Sequence, residues 1–286
     1  MRKGKVDGYN FSVEKLDIVS KNIETQRIIP SNSILQPAYI IDLSITIESS
    51  NLLKKIESKS TSLVKLSKLQ YGIMTANNER FITTQAKGKC YKPLLAGEDI
   101  KRYCVNWPGD RYVDYQPDEM KKKKTARPGE PERFERDEKI VFQRYSSTKV
   151  IAAIDTEKFY TLGTTIISHT TSSYSNKYIL GIINSNLLSW WYSRCYTSPT
   201  NYIREFEQLP IRNINFDNSE DKARHDTMVE LVERMMDLHK KLAAAKIPDE
   251  KTKLQRQISA ADSQINKLVY DLYGLTEEEI KIVEKR

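Results

Sequence analysis

The chain has 286 residues, of which 39% are hydrophobic and 29% charged, and it carries a formal net charge of +8. That length suits one large domain or two ordinary ones with a real core, and no apolar run reaches membrane-spanning length. Three cysteines, Cys90, Cys104 and Cys195, are odd in number and widely spaced, which excludes a disulfide framework and a paired metal motif.

The opening stretch "MRKGKVDGYNFSVEK" is basic with no apolar segment behind it. It does not read as a signal peptide, and with the cysteine usage it points to a reducing cytoplasm. "YIIDLSITI" (39–47) has strand character. "NLLKKIESKS" (51–60) predicts a helix with Leu52, Leu53 and Ile56 on one face. Residues 110–137 are polar, with "KKKK" and "RPGEPERFER", and predict a long surface excursion. "KIVFQRY" (139–145) and "KVIAAID" (149–155) are β-rich runs that predict a hairpin. "TTIIS" (164–168) predicts another strand and "NKYILGII" (176–183) a helix. Asn184 is placed to end that helix. Ser185 is placed to cap the next, which carries Leu187, Leu188, Trp190 and Trp191. Leu180, Ile183, Leu187 and the tryptophans read as core before they read as a base-stacking platform.

The pattern changes near Phe216. Met228, Leu231, Met235, Leu238, Leu242 and Ala245 follow at 3-4 spacing, and Leu254, Ile258, Ala261, Ile265, Leu268 and Leu272 repeat it. Between them Pro248 is placed to stop one helix and Asp249 to cap the next. Two seams with a short connection predict an antiparallel helical hairpin. Gly274 is placed to end the second helix left-handed, and Thr276 with Glu279 to box a last short helix. The expected architecture is a mixed α+β domain over 51–216 followed by an all-α hairpin over 217–286.

Charge is unevenly spread. Residues 1–216 hold 33 basic and 23 acidic side chains, a net +10, whereas residues 217–286 hold 13 and 15. An excess of that kind is compatible with a polyanionic partner such as nucleic acid. A basic solvated surface explains it equally well.

Several chemistries lack their residues. An amino-methyltransferase acting on DNA needs an Asn/Asp/Ser-Pro-Pro-aromatic clamp, and the chain has no Pro-Pro pair. It has no Gly-rich strand-to-helix loop for an adenosyl cofactor. His169, His225 and His239 are too far apart for zinc spacing. His225 and His239 are expected to face solvent and His169 to be structural. Asp110, Glu119 and Lys121 mimic a metal-dependent nuclease site, although a polar loop explains the same residues.

Three stretches carry side chains suited to DNA. "YGIMTANNERFI" (71–82) joins a turn at Gly72 to Thr75, Asn77, Asn78 and Arg80. Asn and Arg can read adenine and guanine edges. "QRYSSTK" (143–149) puts Arg144, Ser146, Ser147, Thr148 and Lys149 at a hairpin mouth, a mix suited to phosphate. "RCYTSPTNYIR" (194–204) interleaves basic and aromatic residues: Arg194, Ser198, Thr200, Asn201, Tyr202 and Arg204.

Their order adds to this. "LLKKIESKSTSLVKLSKLQYGIMTANNERFI", "YKPLLAGEDIKRY", "EKIVFQRYSS", "YILGIINSNLLSWWY" and "FEQLPI" form an ordered series. The series resembles the TaqI-like specificity domain, the target-recognition region of adenine-N6 DNA methyltransferases and fused restriction-modification enzymes. "INKLVYDLYGLTEEEIKIVE" resembles the helical tail that follows it there and in type I specificity subunits. The likeness runs over roughly 50–284. It implies a module of a bacterial or archaeal restriction-modification system that reads double-stranded DNA in the major groove, with no catalysis of its own. Residues 1–50 would lead in from a missing catalytic domain. That methyltransferase part would bind S-adenosylmethionine, and Mg if a nuclease is attached. In this family the Asn-Ser break separates two helices packed on the recognition sheet. "KPLLAGEDIKRY" reads as structural, although Lys92, Lys101 and Arg102 could reach phosphate. Two other readings stay open: a free-standing nuclease using Asp110, Glu119 and Lys121, and a scaffold that self-associates through 220–272.

Overall fold

The computed structural model describes residues 10–16, 23–30, 46–146, 149–196 and 200–285. Most of the predicted strand 39–47 therefore lies outside the described residues. Thr46 instead N-caps the first helix, its side chain accepting from the Ser49 amide at 3.2 Å.

The elements run as follows. An antiparallel pair, β1 (Asn10–Leu16) and β2 (Ile23–Pro30), comes first. Helix α1 spans Ile47–Ser58. Strands β3 (Ser60–Ser62) and β4 (Ser67–Tyr71) lead to the short helix α2 (Asn78–Phe81). Then come β5 (Ile82–Thr83), β6 (Tyr91–Leu95), β7 (Ile100–Lys101), β8 (Cys104–Val105) and β9 (Tyr112–Asp114). Helix α3 (Pro117–Lys121) precedes β10 (Lys139–Gln143), β11 (Ala152–Asp155), β12 (Tyr160–Thr161) and β13 (Thr165–Thr170). Helices α4 (Asn176–Ile183), α5 (Asn186–Cys195) and α6 (Ile203–Phe206) are followed by β14 (Pro210–Arg212). The chain closes with α7 (Ser219–Ala244), α8 (Pro248–Tyr273) and α9 (Glu277–Glu284). The fold class is the expected mixed α+β with a helical hairpin.

A four-stranded antiparallel sheet of order β11-β10-β13-β4 organises the mixed α+β part that precedes the hairpin. Both of its faces are buried, which is why Ile140, Val141 and Phe142 read as a continuous apolar run. Side chains alternate across it with period two. Ile140, Phe142, Ala152, Ile154 and Ile166 face one core with α1, α4, α5 and the hairpin. Val141, Ala153 and Ile167 face a second core with Ile73, Phe81, Leu94, Val113, Met120, Phe134 and Tyr160. A second sheet, β12-β6-β9-β5, belongs to this second core. The stretch 110–137 is therefore not only a surface excursion. It supplies β9 and α3 and buries Met120 and Phe134, two apolar side chains that the polar composition around them conceals.

The break between α4 and α5 forms as read. Asn184 is the C-cap of α4. Its side-chain amide accepts from Ala152 N at 3.1 Å and donates to Ala152 O at 2.9 Å, tying the helix end to edge strand β11. Ser185 accepts from Leu188 N at 3.2 Å as N-cap of α5. Trp190 and Trp191 are both buried, and Trp191 Nε1 donates to Glu57 on α1 at 3.2 Å.

Helices α7 and α8 pair as a hairpin. Its buried stripe is Met228, Val232, Met235 and Leu238 on α7, and Leu254, Ala261, Ile265, Val269 and Leu272 on α8. Leu231, Leu242, Ile258 and Leu268, read as seam, are half-buried. The stripe is wider than an a/d seam because the hairpin also packs on α4, where Gly181 lies against Met228 and Val232. One core therefore runs through the sheet's helical face and the hairpin. Pro248 is the first residue of α8 rather than a stop, and Ile247 rather than Asp249 is its N-cap. Gly274 ends α8 at φ 63°, and Thr276 and Glu279 form the expected capping box before α9.

The histidines correct one expectation. His225 is buried, its ring stacked on Tyr178 at 4.8 Å, and His239 is half-buried. Both lie on the side of α7 that meets the mixed α+β part, a placement that helical spacing alone does not reveal. His169, on β13, is buried as a structural residue. Burial, reinforced by the nearby charges of Arg136, Lys139 and Arg133, pushes its pKa down from 6.5 to about 4. The folded chain thus keeps His169 neutral where the unfolded chain would take a proton. Its share of stability is complete above about pH 6.5 and is lost as the pH falls towards 4. His169→Gln is expected to flatten that acid slope. Urea midpoints for both proteins at pH 7.5 and 5 check it, and parallel shifts would refute it.

Candidate nucleic-acid interface

Two of the three DNA-suited stretches meet in space. The mouth of the β10–β11 hairpin and the loop from α5 to α6 are joined through the backbone, Asn201 N donating to Arg144 O at 3.0 Å. The Asn201 side chain repeats the link by donating to Ser146 Oγ at 2.9 Å. Asn201 is fully buried, and the hydroxyl of Tyr192 lies 3.0 Å from its Oδ1 and 2.9 Å from Glu205 Oε2. Glu205 Oε2 also accepts from Tyr202 N at 3.0 Å and fixes the entry to α6. Burial and the Glu205 charge together push the Tyr192 phenol well above its ordinary value, so it stays a donor.

Arg144 stands at the centre of this junction. Its backbone N donates to Thr164 O at 3.1 Å and its Nη1 to Gly163 O at 3.1 Å. The guanidinium carbon lies 4.9 Å from the ring centre of Tyr71, 5.4 Å from Tyr145 and 5.6 Å from Tyr202. Arg204 lies over the other side of the cluster, 5.2 Å from Tyr202. Such stacking orders a guanidinium without spending all its donors. Tyr145 is 51% exposed and Tyr202 38%, among the few large apolar side chains on the surface. Arg204 and Lys149 are exposed too. The result is a patch of two presented tyrosine faces with positive charge between and beside them. Ser147, Thr148 and Ser198 fall outside the described residues, and Thr200 is half-buried.

The 71–82 stretch is built differently. Gly72 is not the turn. It is a point of close approach, where an added Cβ would meet the carbonyl oxygens of Thr161 and Leu162. The turn lies at Thr75–Asn77, with Ala76 at φ 58°. Thr75 is only 1% exposed, and its hydroxyl donates to Asn78 Oδ1 at 2.5 Å and accepts from Asn77 N at 3.1 Å. Asn77 caps α2 by accepting from Arg80 N at 3.2 Å. Thr75, Asn77 and Asn78 are thus used in shaping the turn, as Asn201 is used in joining the loops. Arg80 is exposed and reaches Glu119 at 3.3 Å.

Glu119 is also bound to Lys122 at 2.7 Å, and Lys121 faces Glu130 at 3.8 Å. These ion pairs hold Glu119 below the usual carboxylate range, Lys122 having the larger effect. Among the described residues no three His, Cys, Asp or Glu side chains cluster as metal ligands, and no helix is long and apolar enough to cross a membrane. Within "KPLLAGEDIKRY", Asp99 pairs with Arg111 at 2.5 Å and Lys92 with Glu135 at 3.2 Å. Arg102 grips Asp262 on α8 at 2.6 Å.

The residues missed in the sequence are Tyr71 and Tyr145. Tyr145 had a legible signal, since it sits beside Arg144 in the same basic-aromatic alternation that marks 194–204. Tyr71 had none, because its place under Arg144 is set by the pairing of β4 with β13.

Comparison with known proteins adds the following. Residues 92–214 match the family described as the TaqI-like C-terminal specificity domain. No curated protein matches the chain. Among solved structures, the type IIL restriction-modification enzyme MmeI, determined in complex with DNA, is 10% identical with a TM-score of 0.49. It matches over 90% of this chain and 38% of its own. The type IIG restriction endonuclease BpuSI is 13% identical with a TM-score of 0.43, over 80% of this chain and 34% of its own. The chain thus spans well under half the length of either enzyme.

Proposed function

We propose that this chain, which carries a TaqI-like C-terminal specificity domain over residues 92–214, is a DNA target-recognition module of a restriction-modification adenine-N6 methyltransferase. The observation that carries the reading is the convergence of two loops on Arg144, with Tyr145 and Tyr202 exposed beside it and Arg204 over Tyr202. The Arg144 fork is suited to guanine edges in the major groove. The tyrosine faces suit thymine methyls or base rims, and Arg204, Lys149 and Arg80 suit phosphates. Methyl transfer would belong to a separate catalytic part that binds S-adenosylmethionine, with Mg only where a nuclease is attached. The helical hairpin, fused to the recognition core, would hold the two parts in register.

The test is fluorescence anisotropy with random duplex DNA across a salt series, followed by selection from a random duplex library. The expected result is affinity that falls steeply with salt and a short selected sequence. Tyr145→Ala and Tyr202→Ala remove exposed side chains, so stability should change by less than about 0.5 kcal/mol. Each should weaken binding to the selected duplex about five-fold or more if it stacks on a base. No binding at low salt would overturn the reading of the chain as a DNA binder by itself.

A further inference from the structure

A groove of about 580 Å³ runs between α5 and the end of α9. One side is a single face of α5, where Ser189, Trp190, Ser193 and Arg194 recur at helical spacing. The other side is the end of α9 with Lys285, and Arg102 and Lys149 stand at its rim. Four of its lining side chains are cationic. Among the described residues Glu284 is the one acid that lines it, and it accepts a hydrogen bond from the Tyr270 hydroxyl at 3.2 Å. Arg102 is fixed in place by Asp262 and by Asn184 O, to which Nη2 donates at 2.7 Å.

Trp190 supplies the second observation. Trp190 is 6% exposed and lines the groove, yet among the described residues its Nε1–H has no acceptor. The other two indoles are satisfied, Trp107 by Arg111 O and Trp191 by Glu57. An indole N–H only donates, and leaving it buried without an acceptor is costly. The cationic lining selects a negative occupant, and an oxygen acceptor is what that buried N–H lacks among the described residues.

We infer that this groove is an oxyanion site that takes phosphate groups, supplied by the DNA backbone beyond the bases that the Arg144 surface reads. Lys149 ties the two regions together, because it belongs to the hairpin loop that also carries Arg144. Lys285 extends the footprint to the helical tail, which then contacts DNA as well as spacing the module. The backbone as the source rests on the DNA-recognition reading; the oxyanion chemistry of the groove does not.

The test follows the three indole N–H signals of the ¹⁵N-labelled full chain, with Trp190→Phe identifying the third. Random duplex DNA and inorganic phosphate are titrated separately, with anisotropy recording duplex binding in parallel. The expected result is that duplex moves the Trp190 signal and leaves those of Trp107 and Trp191 in place. Lys149→Gln and Lys285→Gln should each lower the salt slope by about 1. Movement with inorganic phosphate as well would uphold the site and admit the free ion as a second occupant. Duplex bound with the Trp190 signal unmoved would overturn the proposal while leaving DNA recognition intact. If no duplex binds, the recognition reading fails and the phosphate titration alone decides the site: movement upholds it, none removes it.

Discussion

Lys139→Met is expected to destabilise the chain by about 3–5 kcal/mol. Lys139 opens β10 directly opposite Asp155 on β11, and the two side chains form an ion pair with no solvent exposure on either partner. The ammonium also donates to Phe134 O at 2.7 Å. Asp155 accepts in addition from Glu157 N at 2.8 Å and Phe159 N at 3.0 Å, so it shapes the turn after β11. Burial pushes the Lys139 pKa down, and the Asp155 carboxylate pulls it back up. Removing the cation leaves a carboxylate in the core with no counter-charge. Taking out both charges should be far milder, because the desolvation cost of the surviving ion disappears. Lys139→Met with Asp155→Asn, which keeps an acceptor for the turn amides, should recover most of the loss. Urea unfolding of the single and double variants measures it, and a single-variant loss below 1 kcal/mol would mean that water reaches the pair.

The second large effect belongs to Gly72→Ala. A methyl group there would sit under 3.0 Å from the carbonyl oxygens of Thr161 and Leu162. Both are backbone atoms, so no side chain can swing aside. The segments must part, and three hydrogen bonds stitch them: Gly72 N to Thr165 O at 3.3 Å, Ile73 N to Thr161 O at 2.6 Å and Gly163 N to Ile73 O at 2.7 Å. Overpacking of this kind costs about 1–3 kcal/mol or more. The functional consequence follows from position. Tyr71 and Gly163 O, which flank this contact, are two of the supports of the Arg144 guanidinium. Gly72→Ala should therefore lose sequence selectivity before it loses its fold, measured as the ratio of selected to random duplex affinity. Gly88→Ala is the control, since nothing lies within 4 Å of an added Cβ there. Equal selectivity in both variants would mean that the close approach of Gly72 to Thr161 and Leu162 does not set the Arg144 surface.

The features legible in the residue order are local or periodic. Ser185 splits α4 from α5 because its hydroxyl donates to Ile182 O and accepts from Leu188 N within its own turn. Thr276 and Glu279 punctuate the helical tail by the same kind of local bond, and Gly274 does so by taking φ 63°. The hairpin was legible from apolar spacing, and the specificity-domain likeness from the order of five short motifs, of which residues 92–214 carry the family match.

The remaining features depend on partners far apart in the chain, which only the packed fold brings together. Whether a polar side chain faces outward or is used inside is one such matter. Asn201 and Thr75 carry the side chains of a base reader, yet both are buried in bonds that position other residues. Arg144 and Tyr202, 58 positions apart, meet because β10 and the α5–α6 loop share one end of a sheet. His225 and the Met228 stripe turned inward because α7 packs on α4 at Gly181 as well as on α8. Composition reports how much positive charge a chain carries. Only the pairing of strands decides which of those charges stand together on a surface, because register brings to one spot residues that no local spacing relates.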